Sequence, residues 1–384
     1  MDTTTTALAD SLAARLDIEP DVATMLARHG FDADLFDQLR SRIVEGGVDL
    51  SRNVVQGVVE PPDPSSLIGF PPTGSPERTR LAQIGAAAID AGLVAVVLLA
   101  GGMATRFGGG VKALAEVLPG VRFVDTKIKD LELVSQRAAS PIAMVLMTSF
   151  QSDPVLSEVA REFSTERVAI ETAPQNIALR ITHDGQLFRG ADGKVSPYSP
   201  GHGDLGDAIR RSGFLERFLA GGGKYLFVTN VDNAAATLDP AMIGLHIDSG
   251  NAMTCEVVSA EQGATGGAPY VVDGHLQILE AFRVPAALAH VQIPAVNTNS
   301  LIIDAERLTS PHPLTWFEVE KKVDGETVVQ FERLVGELSA FMPTTMVVVE
   351  RNGVDGRFQP VKDPAELERR RPDIAKILEG RGIL

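Results

Sequence analysis

One glycine-dense segment combines two cations with a preceding apolar run, a pattern that suits the binding of phosphate. Residues 94–100 are apolar and predict a buried strand, which Gly101 and Gly102 end. Backbone without Cβ atoms can approach a phosphate and direct N–H groups at it. Arg106 and Lys112 follow and add positive charge for the same anion. The segment therefore predicts a phosphate-binding loop at the carboxyl end of a parallel strand.

Two familiar phosphate-binding patterns are absent from this segment. Lys112 is preceded by Val111 and followed by Ala113, which excludes the Gly-x-x-x-x-Gly-Lys-Ser/Thr loop. Ala104 stands where a Gly-x-Gly-x-x-Gly pattern starting at Gly102 requires its second glycine. A glycine-rich surface turn without a ligand is the alternative, because such turns commonly follow strands.

A second strand end offers an oxygen ligand for a hard cation. The apolar run 225–231 predicts a buried strand, and Asp232 follows it directly, with Asn230 at the end of the run. A carboxylate in this position can bind Mg²⁺. The alternative is a helix cap, a role that Asn233 or Asp239 could also fill, and we favour the metal site.

Two further polar residues lie near predicted element ends. His202 stands between Gly201 and Gly203, directly before a predicted helix whose N-terminus would favour an anion; a histidine in a tight turn is an equally good interpretation. Gln175 ends a short predicted strand, where its amide could contact the edge of a nucleobase.

Several candidates come from the second half of the chain. Glu280 could accept hydrogen bonds from sugar hydroxyls, or it could be a solvated carboxylate on a helix. Asn299 precedes an apolar run and could line a pocket. Lys321 and Lys362 could contact phosphates, although a single lysine is usually a solvated surface charge.

Composition narrows the class of protein. The 384-residue chain has 35 basic and 50 acidic residues and a net charge of -15, which argues against nucleic-acid or anionic membrane partners. The single cysteine, Cys255, excludes an internal disulfide and fits a reducing compartment. Neither a signal peptide nor an apolar run of membrane-spanning length is found, so we expect a cytoplasmic protein.

Strand and helix signals alternate along most of the chain, which favours a mainly parallel sheet with helices on both faces. Thr6 and Asp21 are candidate caps of an N-terminal helical region, residues 7–46. Residues 54–78 contain six prolines and predict an extended connector. Further helices are predicted over 75–91, 155–163, 207–220 and 364–371, and further strands over 142–148, 168–171, 253–260, 295–303 and 345–350.

Taken in order, the motifs give a resemblance to a known family. The chain resembles the UDP-glucose pyrophosphorylase (UTP–glucose-1-phosphate uridylyltransferase) family, which includes UDP-N-acetylhexosamine pyrophosphorylases. The motifs that carry it are 99–108 with Lys112, 200–204, 230–233, 266–267, 277–280 with Pro285, 297–299, 319–331 and 357–362. Each is weak alone, but the ordered set over about residues 90–365 is specific.

The resemblance implies a Rossmann-like nucleotidyltransferase domain and a role for each residue. It implies four regions: a helical N-terminal segment (1–53), a Pro-rich connector and helix (54–90), a catalytic domain (91–313) and a small C-terminal α+β region (314–384). The residues that it implies for nucleotide binding are Gly101, Gly102, Gln175 and Gly201, and those for phosphate binding and catalysis are Arg106, Lys112 and Lys362. The residues that it implies for sugar-phosphate binding are His202, Asn230, Gly267, Glu280, Asn299 and Lys321. Asp232 is the residue that it implies for Mg²⁺ binding.

The expected reaction joins a nucleoside triphosphate to a sugar 1-phosphate and releases pyrophosphate. UTP and a hexose 1-phosphate are favoured; another base with a cyclitol 1-phosphate is an alternative. Two different classes of protein stay open beside it, namely a nucleotide-sugar-dependent glycosyltransferase and a nucleotide-binding regulator without turnover. A homodimer is a further possibility.

Overall fold

A computed structural model describes residues 3–103, 109–261, 266–288 and 290–384. The described residues include ten α-helices that cover the sheets and the N-terminal region. In chain order they are α1 (Thr3–Leu16), α2 (Pro20–Arg28), α3 (Ala33–Gly46), α4 (Pro76–Asp90), α5 (Phe123–Val134), α6 (Asp153–Phe163), α7 (Leu205–Arg211), α8 (Phe214–Ala220), α9 (Pro240–Ser249) and α10 (Pro364–Gly380).

Strands occur in both long and very short runs. Those of the described residues are β1 (Val59–Glu60), β2 (Leu67–Gly69), β3 (Val94–Leu99), β4 (Glu116–Leu118), β5 (Val121–Arg122), β6 (Ile142–Thr148), β7 (Val168–Pro174), β8 (Ala178–Leu179), β9 (Pro197–Tyr198), β10 (Tyr225–Asn230), β11 (Met253–Ser259), β12 (Ala268–Val272), β13 (His275–Leu279), β14 (Ala295–Asp304), β15 (Phe317–Val323), β16 (Glu326–Glu332) and β17 (Thr344–Val348).

Eight of these strands form the central sheet, in the order β2-β17-β11-β14-β10-β3-β6-β7. Every neighbouring pair is parallel except the two that involve β14. The carboxyl ends of β3, β6, β7 and β10 therefore meet at one edge, and the antiparallel β14 brings its amino end to the same edge. In such sheets this edge is where ligands bind.

The predicted sheet with helices on both faces is confirmed. Within β3, Val94, Val96 and Leu98 belong to the apolar core beneath α4, α5, α6 and α9. Ala95 and Val97 alternate with them and belong to the core beneath α7 and α8. A strand that is buried on both faces has a continuous apolar sequence, as this one does.

Two glycines let α4 and α9 pack closely. A Cβ atom at Gly85 would lie 1.7 Å from the carbonyl oxygen of Pro240, and one at Gly244 would lie 1.9 Å from that of Leu81. Neither position can accept a larger residue without moving a helix. This contact holds α9, and with it the chain that follows β10, against the sheet.

The N-terminal helices pack on the region next to the ligand edge. Their buried face, which includes Leu26 and Phe36, contacts Ile177, Ile181 and Phe331. Asp32 caps α3 by accepting a hydrogen bond from the Leu35 backbone N–H. The predicted caps were wrong, because Thr6 lies inside α1 and Glu19, rather than Asp21, stands at the start of α2.

Other element boundaries also differ from the prediction. The helix predicted over 207–220 is two helices, separated at Gly213, whose φ of 72° is left-handed. The final helix continues through Pro372 to Gly380, because Ile374 and Ile377 beyond the proline are buried. Helices α5 and α9 were not predicted.

Candidate active site

A cleft of about 390 Å³ opens at the carboxyl ends of the parallel strands. Residues from five distant parts of the chain line it. They are Leu99, Gly101, Gly102, Met103, Lys112, Met147, Gln175, Ser199, Gly201, His202, Asn230, Val231 and Asp232. Most of the predicted nucleotide and phosphate residues therefore share one cavity.

Lys112 and Asp232 form an ion pair in this cleft. Their side chains are 17% and 19% exposed, so both are largely shielded but reachable by a ligand. The backbone N–H of Lys112 donates to the Gly102 carbonyl at 3.2 Å, and Met103 pairs with Val111. These contacts close the glycine-rich loop at its base and aim Lys112 at the end of β10.

Three polar atoms of the cleft lack a hydrogen-bond partner among the described residues. Gln175 Oε1, Ser199 Oγ and Asp232 Oδ1 are all buried, and they are three of only seven such side-chain atoms in the described part of the chain. A buried polar atom without a partner is costly, so a cluster of them indicates a site completed by a ligand.

Gly101 leaves room for the Gln175 side chain. A Cβ atom at position 101 would lie 2.3 Å from Gln175 Nε2. The Gln175 backbone N–H donates to the carbonyl of Thr148 at 2.9 Å, which places the residue at the end of the β6–β7 pair. The missing Cβ is thus needed for the position of this amide.

The turn that carries His202 depends on two glycines and on Arg333. Gly201 has a φ of 97°, and a Cβ atom there would lie 2.9 Å from the carbonyl oxygen of Arg333. That carbonyl accepts the Gly203 N–H at 2.9 Å. The prediction from sequence identified the turn but not the Arg333 segment that supports it.

His202 is held as a neutral hydrogen-bond donor. Its Nδ1 accepts the backbone N–H of Val335 at 2.9 Å, so the ring proton resides on Nε2. Burial lowers the pKa of His202 to about 4, partly offset by the Glu332 carboxylate. At neutral pH this ring can donate a hydrogen bond into the cleft but carries no charge.

Two of the residues predicted to bind the sugar phosphate, Asn230 and Asn299, belong to a hydrogen-bonded chain of amides that leads away from the cleft. Asn299 Nδ2 donates to Asn230 Oδ1 at 3.0 Å, and the Asn299 N–H donates to Asn297 Oδ1 at 3.0 Å. Asn299 has a φ of 61°, a left-handed value that asparagine adopts more readily than most residues other than glycine. The Asn297 N–H then donates to the Gly267 carbonyl at 2.7 Å.

Glu280 stands directly beside Gly267. A Cβ atom at Gly267 would lie 2.6 Å from Glu280 Oε1. Burial raises the pKa of Glu280, and the Arg283 guanidinium opposes the effect. The alternative of a solvated helix carboxylate was wrong, because Glu280 follows β13 directly and is half-buried.

The two late lysines occupy different surroundings. Lys321 lies on β15, is 46% exposed and pairs with Glu332 at 3.3 Å. Lys362 is exposed, and the residues just before it are bound to Asn233, which follows Asp232 in the chain. Asn233 Oδ1 accepts the Gln359 N–H at 2.9 Å, and Asn233 forms a β-bridge with Pro360. Arg106 lies outside the described residues.

Asn233 is a structural anchor rather than a helix cap. It is fully buried, and its Nδ2 donates to the carbonyl of Arg357 at 3.0 Å. Asp239 caps α9 by accepting from the Ala241 N–H at 2.8 Å, as the capping alternative allowed. Neither of these roles falls to Asp232, and its Oδ1 is left available to a ligand.

Sequence reasoning missed a buried network of charges behind the cleft. Arg357 donates two hydrogen bonds to Glu256, at 2.8 and 2.6 Å. Lys127 Nζ donates to the carbonyls of Asn233 and Ala236, both at 2.6 Å, and burial lowers the pKa of Lys127 to about 7. Lys127 could have been noticed, since it interrupts the apolar face of a helical pattern.

The donor set fits a magnesium ion. Among residues 3–103, 109–261, 266–288 and 290–384, no group of three or more His, Cys, Asp or Glu side chains could enclose a metal. Mg²⁺ is commonly bound by one or two carboxylates together with substrate phosphates, so a full protein cage is not required. The unpartnered Oδ1 of Asp232 is the oxygen that would fit it.

Comparison with solved structures defines the class of fold. A UDP-N-acetylglucosamine pyrophosphorylase from Trypanosoma brucei superposes with a TM-score of 0.72 at 19% identity, over 96% of this chain and 84% of that one. A UDP-glucose pyrophosphorylase from Leishmania major gives 0.69 at 22% identity, over 96% and 78%. The fold is that of nucleotidyltransferase-type pyrophosphorylases.

Sequence comparison places the chain in a family. The family model for UTP–glucose-1-phosphate uridylyltransferase matches residues 75–380, and the chain belongs to this family. Relatives of that name from Encephalitozoon cuniculi and Hordeum vulgare are 28% and 29% identical, over 71% and 74% of this chain. The matches cover 57% and 63% of those relatives, less than two thirds of their length.

Proposed function

We propose that the protein is a sugar-1-phosphate nucleotidyltransferase, with UTP and a hexose 1-phosphate as the favoured substrates. The observation that carries the proposal is the cleft in which Lys112 meets Asp232, with three unpartnered buried polar atoms around it. Membership of the uridylyltransferase family supports this reaction class. The named relatives support UTP as the nucleotide.

In the proposed reaction, an oxygen of the sugar 1-phosphate attacks the α-phosphorus of the triphosphate. The bond between the α-phosphorus and its bridging oxygen breaks, and pyrophosphate leaves with that oxygen. The nucleophile is already an anion, so no strong base is needed. Catalysis then consists of positioning and neutralisation of charge, tasks that we assign to Lys112, Arg106 and Lys362.

The substrates are assigned to the two sides of the cleft. Gly101, Gly102, Gln175 and Gly201 would contact the nucleotide, because the glycines permit close approach and Gln175 Oε1 can accept a hydrogen bond. His202 would donate to a sugar-phosphate oxygen from Nε2. The remaining sugar-phosphate residues are proposed to be Asn230, Gly267, Glu280, Asn299 and Lys321.

Asp232 would hold Mg²⁺ through its unpartnered oxygen. When bound, the ion would supply positive charge for the phosphates. The pairing of Asp232 with Lys112 would orient this carboxylate before substrate arrives. Lys112 is then in place to contact a phosphate.

The compartment and assembly stay predictions. None of the helices in the described ranges is both long and apolar enough to cross a membrane. A cytoplasmic location fits the single cysteine, and a homodimer is a separate prediction that the composition does not address.

A matrix assay tests the function. Pyrophosphate release is measured with each of the four nucleoside triphosphates against glucose 1-phosphate, N-acetylglucosamine 1-phosphate and a cyclitol 1-phosphate, with Mg²⁺ present. We expect release to be highest with UTP and a hexose 1-phosphate. Glycosyl transfer from a UDP-sugar without pyrophosphate release under any pair would contradict the proposal, as would nucleotide binding without turnover.

A further inference from the structure

A second cavity of about 450 Å³ lies beside the cleft, between the N-terminal helices and the sheet domain. Four aromatic residues line it, namely Phe36 of α3, Phe31 just before α3, and Trp316 and Phe331 of the second half of the chain. Its volume falls in the range of small-molecule sites. None of the described residues assigned above to the reaction lines this cavity.

The polar wall of the cavity has donors in excess. Asp207 accepts from Arg333 at 2.7 Å and also from Arg210, and Asp204 accepts from Arg333 and from the Asn176 N–H. Asp32, which also lines the cavity, accepts the Leu35 N–H at 2.9 Å, so these carboxylates already have partners. Arg333 is only 8% exposed, and its Nε has no partner among the described residues. The group still to be satisfied is a donor, which favours an acceptor or anion as the occupant.

Arg211 adds an accessible positive charge to the same wall. It is exposed, and one of its guanidinium nitrogens donates to the carbonyl of Pro174. The Arg333 guanidinium lies 4.4 Å from the centre of the Trp316 ring. A lining that combines arginines with aromatic rings is suited to a flat ring that carries an acidic group.

The cavity shares two walls with the cleft. Asn176 lines the cavity, and its chain neighbour Gln175 lines the cleft. The Arg333 backbone N–H donates to the Pro200 carbonyl at 2.7 Å, and its own carbonyl accepts from Gly203. Arg333 thus lines the cavity with its side chain and supports the turn of His202 with its backbone.

We propose that this cavity is a second ligand site, which binds a small aromatic or heteroaromatic anion and changes the affinity of the cleft for nucleotide. A ligand that shifts Arg333 or Asn176 must also shift the His202 turn or Gln175. Such a shift would couple the two sites, and the coupling would be reciprocal. The coupling rests on the proposed function, whereas the site itself does not.

The first experiment uses 1-anilinonaphthalene-8-sulfonate as the probe, with isothermal titration calorimetry of the full chain. We expect one probe molecule per chain. Leu35→Trp fills the cavity from α3 and should weaken binding at least tenfold. Leu8→Trp, an exposed site on α1 that does not line the cavity, should bind within twofold of the original chain. Binding to the Leu35 variant at full strength would overturn the proposal.

The second experiment tests the charge. Arg211→Gln should weaken the probe at least fivefold, whereas Arg217→Gln, an exposed arginine paired with Glu171, should not. Equal affinities of the two variants for the probe would contradict the claim that the cavity favours an anion.

The third experiment separates the two sites. Rising UTP should shift the probe's Kd by a finite factor that reaches a plateau, because the ligands occupy different cavities. A probe Kd that keeps rising with the UTP concentration would place the probe in the cleft and overturn the proposed second site. A probe Kd that does not change with UTP would overturn the coupling. If UTP does not bind, the proposed function is contradicted. The Leu35 and Arg211 variants still test whether the second cavity binds the probe.

Discussion

Asp232 follows β10 and Glu256 lies on β11 of the same sheet, and the two acids are used in opposite ways. Glu256 is 1% exposed, and both of its oxygens accept from Arg357. Asp232 is 19% exposed; one of its oxygens meets Lys112 and the other has no partner among the described residues. A saturated charge can only hold structure, whereas an unsaturated one is available to a ligand. Predictions that separate stability from turnover test this difference.

The largest expected effect is on folding. Glu256→Gln removes the hydrogen-bonded counter-ion of the buried Arg357 guanidinium and leaves it only Asp239, at 3.7 Å, so the free energy of unfolding should fall by about 3–5 kcal/mol. The measurement is urea denaturation followed by circular dichroism. Glu368→Gln removes the exposed partner of Arg371 and is the control, with an expected loss below about 1 kcal/mol. Equal losses of unfolding free energy in the two variants would contradict the structural role given to Glu256.

The next effect is on turnover. Lys112→Ala should raise the barrier by about 2.7–4 kcal/mol, a loss of about 10²–10³ in kcat, because one charge-stabilising donor is removed. Pyrophosphate release measures it, and the urea midpoint should stay unchanged. Lys129→Ala, an exposed lysine on α5, is the control. Wild-type release from the Lys112 variant would defeat its assignment.

The third effect concerns pH. Because burial lowers the pKa of His202 to about 4, the unfolded chain binds more protons than the folded one between pH 6.5 and 4. This contribution to stability is complete above pH 6.5 and is lost as the pH falls towards 4. Unfolding free energies at pH 7.5 and 4.5 are compared for the original chain and His202→Gln, whose pH-dependent loss should be smaller by about 2–3 kcal/mol. Identical losses would show that folding does not lower the pKa of His202.

The smallest effect concerns the nucleotide. Gln175→Ala should raise the KM for UTP roughly 3- to 10-fold, which corresponds to about 0.5–1.5 kcal/mol for one hydrogen bond. Steady-state kinetics at saturating sugar phosphate measures it, and kcat should change little. Gln136→Ala, an exposed position outside the cleft, is the control. An unchanged KM would remove Gln175 from the nucleotide site.

Prediction from sequence was strongest where local pattern and burial agree. The strand 142–148 was predicted with its observed bounds, because an apolar run between turns is the signature of a buried parallel strand. The same logic located Gly101 and Asp232 just after strand ends, and it placed Lys112 at the end of the loop that follows Gly101. Helix α5 was missed because Lys127 and Asp130 interrupt its apolar face, and both are buried by contacts with a distant loop.

The sequence by itself determined the ligand edge, since apolar runs followed by glycine or acid fix where parallel strands end. Only the tertiary structure decided which of these residues meet. Lys112 reaches Asp232 because β3 and β10 are neighbours in the sheet, and Asn233 is an anchor because residues 357–360 fold back onto it. The second cavity exists only because α3 packs beside Asn176, a contact that depends on long-range burial and leaves no local pattern in the chain.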